Sequence, residues 1–404
     1  MYSIGYPKDI KSKICEITGC NGNITKYEVL NSSVNIELGS EDIYRSVILD
    51  PETKELLCFS PPKTINIDIF KNKYPELREP EKTNETTFYA NEIIEGTMVN
   101  LFFDKRINSW EIATKGSVGG NYWFFRNQYN EVPETFLIPE YTFKQMFLQV
   151  INDESSDNNQ IINNDINSNE WINTLDKGYS YCFILKHPNN HIVNIVDKPA
   201  LYIVAIYSIQ DSSVNLVDPV AYESWGIFNN NSPVKFPKKY IVESYAELEE
   251  IIEINNSDPY YREISMGIMI LNTNTGERTL IENPKYKYIR ELRGYHPNIK
   301  YHWLILNKEL KIDEFLSVFP KYINHFIAFR NQFNNLIKEI HNGYVSYYVK
   351  KSGKRIEKNF KLIYKIHHEL YLPAKETGNP IIIRREVVAD FISKLDPKEV
   401  FHSL

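Results

Sequence analysis

A chain of 404 residues exceeds what one ordinary hydrophobic core fills, so division into two domains is expected. Its 42% apolar share suffices for packed globular structure, and its net charge of −6 excludes a generally basic nucleic-acid binder, so any such grip must come from a local patch. No run reaches the ~18 apolar residues of a membrane span, the opening MYSIGYPKDIKSKICE lacks a signal peptide's apolar stretch, and Cys15, Cys20, Cys58 and Cys182 lack zinc-ligand spacing; a soluble cytoplasmic protein with free thiols, no metal site and no membrane partner is expected.

Residues 1–42 show only a weak pattern. From Arg45 the run Arg-Ser-Val-Ile-Leu reads as a buried strand, 50–54 as a turn and 56–59 as the return strand, which Ser60-Pro-Pro-Lys63 ends because proline cannot donate to a ladder. Residues 70–87 read as a charged, proline-broken loop. Next come two alternating stretches, 92–103 and 110–115, joined by a polar turn, with Glu95-Gly96-Thr97 near the start and Lys115-Gly116-Ser117 at the end. An acid and a glycine on one strand and a lysine and a glycine on its partner predict a shared pocket of nucleotide-site character.

Phe143, Met146, Phe147, Val150 and Ile151 at helical spacing predict a core-facing helix, and the Asn-, Asp- and Ser-rich stretch 152–170 a mobile surface insertion. Strands follow at 179–186, 191–196 and 201–209, then a helix opened by Ser244 with Glu247 three residues on, and a hairpin over 267–271 and 278–281. Beyond about residue 305 the period becomes helical, with Phe315, Phe319, Phe326, Phe333, Leu336 and Ile340 on one stripe and weaker helices at 358–370 and 384–395.

Taken in order, Arg45, Ser60-Pro-Pro-Lys63, Ile93-Ile-Glu95-Gly96-Thr97, Lys115-Gly116-Ser117, the strand 183–193, Met266-Gly267 and Leu280-Ile-Glu282 resemble the motif series of the RNA ligase of T-even bacteriophages and of the RNA-ligase-like proteins of large DNA viruses. The resemblance implies an α+β fold: a ligase-type nucleotidyltransferase domain of antiparallel sheets with flanking helices over 1–305, then a mainly helical C-terminal domain over 306–404. It also implies that a lysine should stand at position 93, carboxylates at 184 and 266, and lysines at 280 and 282. This chain has Ile93, Ile184, Met266, Leu280 and Glu282 there, and no lysine between Lys82 and Lys105. Adenylyl transfer needs an amine to attack the α-phosphate, and an isoleucine has none; Ile and Met offer no oxygen to Mg²⁺.

The expected site therefore has no catalytic residue and no metal, and binds RNA or a nucleotide through Arg45, Lys63, Glu95, Gly96 and Lys115. Two other readings stand beside it. One is an active RNA ligase using ATP and Mg with a relocated lysine, Lys63 being nearest; the other is a non-enzymatic scaffold of a viral complex in the infected host cell, with a protein partner on the C-terminal domain. Each residue also has a plainer role: Glu95 in an ion pair with Lys115 or Arg45, Lys115 as a solvated strand end, the run 122–125 as core, 350–355 as a solvated basic loop, and His187 and His191 as surface residues.

Overall fold

Between Glu92 and Thr97 the chain passes from one β-sheet into another, and the first of its two compact units is built around that crossing. The computed structural model describes residues 2–3, 10–18, 23–32, 45–77, 87–122, 141–152, 165–190, 192–210, 213–229, 232–241, 243–256, 264–294, 296, 298–352 and 359–404. The units divide in sequence between Arg290 and Glu291.

The strands of the first unit are β1 (Tyr2–Ser3), β2 (Ile10–Thr18), β3 (Ile24–Ser32), β4 (Arg45–Leu49), β5 (Leu56–Cys58), β6 (Phe88–Glu92), β7 (Thr97–Asp104), β8 (Ser109–Thr114), β9 (Ser117–Val118), β10 (Tyr179–Lys186), β11 (Ala200–Gln210), β12 (Ser213–Leu216), β13 (Val234–Lys235), β14 (Lys239–Tyr240), β15 (Gly267–Asn272) and β16 (Arg278–Glu282). Its helices are α1 (Ile67–Lys73), α2 (Phe143–Ile151), α3 (Glu170–Asn173), α4 (Pro219–Glu223) and α5 (Tyr245–Asn255), and α6 (Pro284–Arg293) begins in it. The strands form three sheets: β1-β12-β11-β10-β7-β8-β9 with β13 parallel to β11, then β14-β6-β15-β16, and β2-β3-β4-β5. All pairings but the β11–β13 one are antiparallel, which is the mixed α+β architecture with flanking helices.

Side-chain alternation gives each sheet two faces. In the β14-β6-β15-β16 sheet, Phe88, Ala90, Ile268, Ile270 and Ile281 pack on Phe70 of α1 and Leu248 and Ile252 of α5. Their neighbours Tyr89, Asn91, Met269, Leu271, Leu280 and Glu282 point the other way, into a cavity. In the eight-stranded sheet, Val99, Phe183, Leu185, Leu201 and Ile203 pack on Phe143 and Phe147 of α2. Cys182, Ala205 and Tyr207 on its opposite face meet Val47, Leu49 and Phe59.

Several local expectations change in the tertiary structure. The single strand predicted over 92–103 is two strands in different sheets, because residues 93–96 make the crossing. Residues 67–73, partly read as loop, are helix α1, capped by the Asn66 side chain and pinned by the fully buried Phe70. In the predicted insertion, 153–164 lie outside the described residues, but Ile166 is buried in the core, as is Ile172 just beyond it. The hairpin β2–β3 escaped the sequence pattern because Ile14 and Ile24 point to solvent and blur the alternation. Cys15, Cys58 and Cys182 are free and buried, and Cys20 lies outside the described residues.

The second unit is helical: α7 (Ile299–Glu309), α8 (Ile312–Val318), α9 (Ile323–Tyr344), α10 (Phe360–Lys365), α11 (Leu372–Glu376), α12 (Arg385–Lys394) and α13 (Pro397–Phe401), with π-helical turns at Val345–Val349 and Ile366–Tyr371. Its core starts earlier than residue 305, because Trp303 of α7 is buried against Phe329 and Phe333 of α9. The boundary accordingly falls at 290/291. Among the described residues no helix is long and apolar enough to cross a membrane.

Candidate functional site

The face of the β14-β6-β15-β16 sheet opposite α1 and α5, together with the eight-stranded sheet, bounds a cavity of about 360 Å³. One wall is Asn91, Met269, Leu271 and Leu280; the other is Met98, Ile184, Val204, Ala205 and Leu216, and the crossing segment Ile93-Ile94-Glu95-Gly96 closes one end. Positions 93, 184, 266, 280 and 282 come from four separate stretches of sequence, and all five line this one cavity. Apolar side chains dominate the walls, while Arg45, Arg278 and Arg290 supply positive charge.

Arg45 reaches the cavity from a β-bulge. Leu30 pairs with Val47 and Asn31 with Arg45, so Ser46 is the extra residue, and its φ of 61° is left-handed. Ser46 is buried and held there: its Oγ donates to the Thr114 carbonyl at 3.1 Å, and Ser60 Oγ donates to the Ser46 carbonyl at 2.9 Å. Asn100 Nδ2 donates in turn to Ser60 Oγ at 2.8 Å. This chain of bonds brings together the beginning of β4, the segment 60–63 and the end of β8. Arg278 secures the same segment by donating Nε to the Pro62 carbonyl at 2.7 Å and Nη2 to that of Pro61 at 3.3 Å.

Three of the five expected binding residues are cations grouped by this network. Burial pushes the Lys63 ammonium below its ordinary pKa, and repulsion from Lys115 and then Arg45 adds to the shift. Burial likewise lowers Arg45. Arg45 walls the cavity, whereas Lys63 and the exposed Lys115 stand outside its lining. An anion placed beside Lys63 would offset the repulsion it feels from Lys115 and Arg45.

Glu95 is employed differently. Its Oε1 accepts from the amides of Ile192 at 2.7 Å and Val193 at 3.0 Å; its Oε2 accepts from the Asn194 amide at 3.0 Å, Asn194 Nδ2 at 3.2 Å and the Tyr286 hydroxyl at 2.9 Å. Glu95 is 6% exposed, and all five of these partners are neutral donors, four N–H groups and a hydroxyl, rather than cations. This explains why 192–196, alternating enough to read as a strand, is not one: three successive amides turn to a single carboxyl group and cannot form a ladder. Asn194 extends the anchor by donating to the Ile264 carbonyl and accepting from its amide.

Gly96 has a steric role. A Cβ there would lie 2.4 Å from the Leu185 carbonyl oxygen and 2.7 Å from Ile184 Cγ2, so the crossing strand approaches β10 as closely as glycine allows. Gly267 is under the same demand, with φ 138° and a hypothetical Cβ 2.1 Å from the Ile281 carbonyl oxygen; its own carbonyl accepts the Ile93 amide at 3.0 Å. His187, expected at the surface, is 3% exposed, with Nδ1 accepting the Asn189 amide and Nε2 donating to Gln149 Oε1 at 2.9 Å. His191 lies outside the described residues, as do 123–125 of the aromatic run and 353–355 of the basic cluster.

The Mg²⁺ implied by the ligase resemblance does not fit these residues. Ile184 and Met266 face the cavity with no oxygen, and among the described residues no group of three His, Cys, Asp or Glu side chains could hold an ion. Glu282 lines the cavity but is ion-paired with Lys287 at 3.2 Å. Arg278, Arg290, Tyr286 and Asn194 had no sequence signal, since nothing local separates them from ordinary strand, helix or loop residues.

No family model matches the chain, and no curated protein matches it. Its neighbours among solved structures include a DNA ligase and several structures of an RNA ligase. A putative ATP-dependent DNA ligase from Aquifex aeolicus is 13% identical over 83% of this chain and 78% of its own, with a TM-score of 0.38. The RNA ligase of Naegleria gruberi with pyrophosphate is 9% identical over 69% of this chain and 77% of its own, at a TM-score of 0.34. Another structure of that ligase, with ATP and Mn, matches over 49% of this chain and 50% of its own, at 11% identity and a TM-score of 0.32. At these scores only the cavity's own residues bear on what the chain does.

Proposed function

We propose that the chain is a ligase-like protein that binds a nucleotide, or the phosphate-bearing end of an RNA, in this cavity and does not transfer an adenylyl group. The observation that supports the reading most is that Ile93, Ile184 and Met266 line the cavity beside Arg45, with Lys63 and Lys115 close by. Adenylylation would require a neutral amine to bond to the α-phosphorus while pyrophosphate leaves, and Ile93 supplies none. Apolar walls can take a base, and the cations can take phosphates. Of the five residues expected from sequence, Arg45, Lys63 and Lys115 are proposed as ligand contacts. Glu95 and Gly96 are proposed to shape the wall, because Glu95 already accepts five hydrogen bonds.

The active-ligase alternative has one observation in its favour, the lowered pKa of Lys63. Incubation with α-³²P-labelled ATP and Mg²⁺ or Mn²⁺ separates the two. The expected result is ATP binding by calorimetry, unchanged by EDTA and weakened at least about tenfold by Arg45→Ala, with no labelled protein after denaturing electrophoresis. A labelled protein would overturn the reading, and its loss in Lys63→Ala would establish the alternative. Absence of any nucleotide or RNA-end binding would leave the scaffold.

A further inference from the structure

The second unit has a feature that the cavity does not explain. The π-helical turn Val345–Val349 and the π-helical turn Ile366–Tyr371 face each other through their aromatic rings. The His367 ring lies on Tyr348 at 3.6 Å between centroids and 10° between planes, and on Tyr371 at 5.1 Å and 19°. The Tyr344 hydroxyl meets His367 Nδ1 at 3.2 Å, fixing the middle ring of the stack. Beside it, His368 lies 3.8 Å from Tyr364, and Phe360 packs edge-on to Tyr347 at 5.2 Å. The outer rings are open: Tyr347 is 36% exposed, Tyr364 48%, and His368 is exposed as well.

The stretches that carry these rings also carry lysines. Lys350, Lys351, Lys361 and Lys375 are exposed, and Lys365 is ion-paired with Glu399 at 2.7 Å; Glu369 and Glu376 are the acids on the same two stretches. Next to Phe360, a cleft of about 430 Å³ is lined by Asn359, Lys361, Lys398 and His402 among others. A ring platform with a basic rim is a poor match to a protein partner, because lysine is depleted from the cores of protein interfaces. It matches single-stranded nucleic acid, whose unpaired bases stack on open aromatic faces while lysines follow the phosphates. π-helical turns are uncommon and concentrate at functional sites, and here two of them set the spacing of the rings.

We infer that this face of the helical unit binds single-stranded RNA by stacking its bases on Tyr347 and Tyr364 and pairing its phosphates with the surrounding lysines. The site is separate from the cavity and stands whether or not the cavity takes a nucleotide. A fluorescein-labelled oligouridylate of about 12 nucleotides, titrated with the full chain and read by anisotropy at several salt concentrations, tests it. Binding is expected to fall as salt rises, to weaken about tenfold or more in Tyr364→Ala and in Tyr347→Ala, and to be kept largely in Tyr364→Phe. Lys361→Ala should reduce the slope of log affinity against log salt by about 0.7.

Equal competition by a double-stranded RNA of the same length, or by inorganic polyphosphate, would reduce the face to a general anion patch and overturn the stacking. No binding, or binding unchanged in both tyrosine variants with their circular dichroism intact, would overturn it too. Tyr364→Ala should leave ATP binding in the cavity intact, and Arg45→Ala should weaken ATP while an oligouridylate with no terminal phosphate still binds, so failure of one site is distinguishable from failure of the other.

Discussion

The carboxyl group of Glu95 holds the loop 192–194 in place from 97 to 99 residues away in sequence. From sequence its environment was legible in part: a carboxylate amid Ile93, Ile94, Met98 and Val99 needs partners if buried. The partners were not legible, because they are backbone amides, which every residue has. Glu95→Ala leaves three amides, an Asn side chain and a tyrosine hydroxyl without their acceptor, and should cost about 3 kcal/mol or more in urea unfolding. Stability unchanged within error would contradict the anchor.

His187 predicts a pH dependence. Burial lowers its pKa from its ordinary 6.5 to about 4, and it is neutral where the unfolded chain takes a proton. Between those values the unfolded state binds the extra proton, so stability is full above about pH 6.5 and falls as pH drops toward 4. His302 in the second unit, with Nε2 donating to the Leu292 carbonyl, is lowered to about 4 in the same direction. Urea midpoints at about pH 7 and about pH 5 should differ less in His187→Gln than in the parent, if the variant keeps the bond to Gln149. An equal drop in both proteins would assign the acid sensitivity elsewhere.

At the scale of elements, the strand switch at 93–96 governs the cavity. No proline interrupts it, so the sequence reads as one strand; the switch occurs because Gly96 lets β7 close onto β10 while the Ile93 amide bonds to Gly267 of the other sheet. Gly96→Ala should therefore cost about 1 to 3 kcal/mol by pressing a methyl group on the Leu185 carbonyl. It should also widen the cavity wall, seen as weaker ATP binding; unaltered stability and affinity would refute the close approach. Elements with strong local signals were legible: β4 and β5 with the Asp50 turn between them, α2 with its stripe of Phe143, Met146 and Phe147, and the β15–β16 hairpin. Among those that failed, α1 and the 192–196 loop are held by groups distant in sequence, Phe70 packing with Leu248 and Ile270 and three loop amides bonding to Glu95.

For the whole molecule, the helical unit has its own core around Trp303, the sole tryptophan of residues 291–404. Residues 291–404 expressed alone should unfold cooperatively, with Trp303 emission shifting red in one urea transition. A gradual shift would mean that its core needs the rest of the chain. The amino-acid sequence by itself determined that, with Ile93 and no lysine from 83 to 104, no fold can place an amine on that strand. It also determined where alternation and helical stripes begin, because those are properties of neighbouring residues. Only the tertiary structure decided that positions 93, 184, 266, 280 and 282 share one cavity, that Arg45 enters it through a strained Ser46, and that Glu95 is taken up by backbone amides. Those outcomes come from sheets and loops meeting across long sequence separations, and no local pattern specifies which distant groups will be opposite one another.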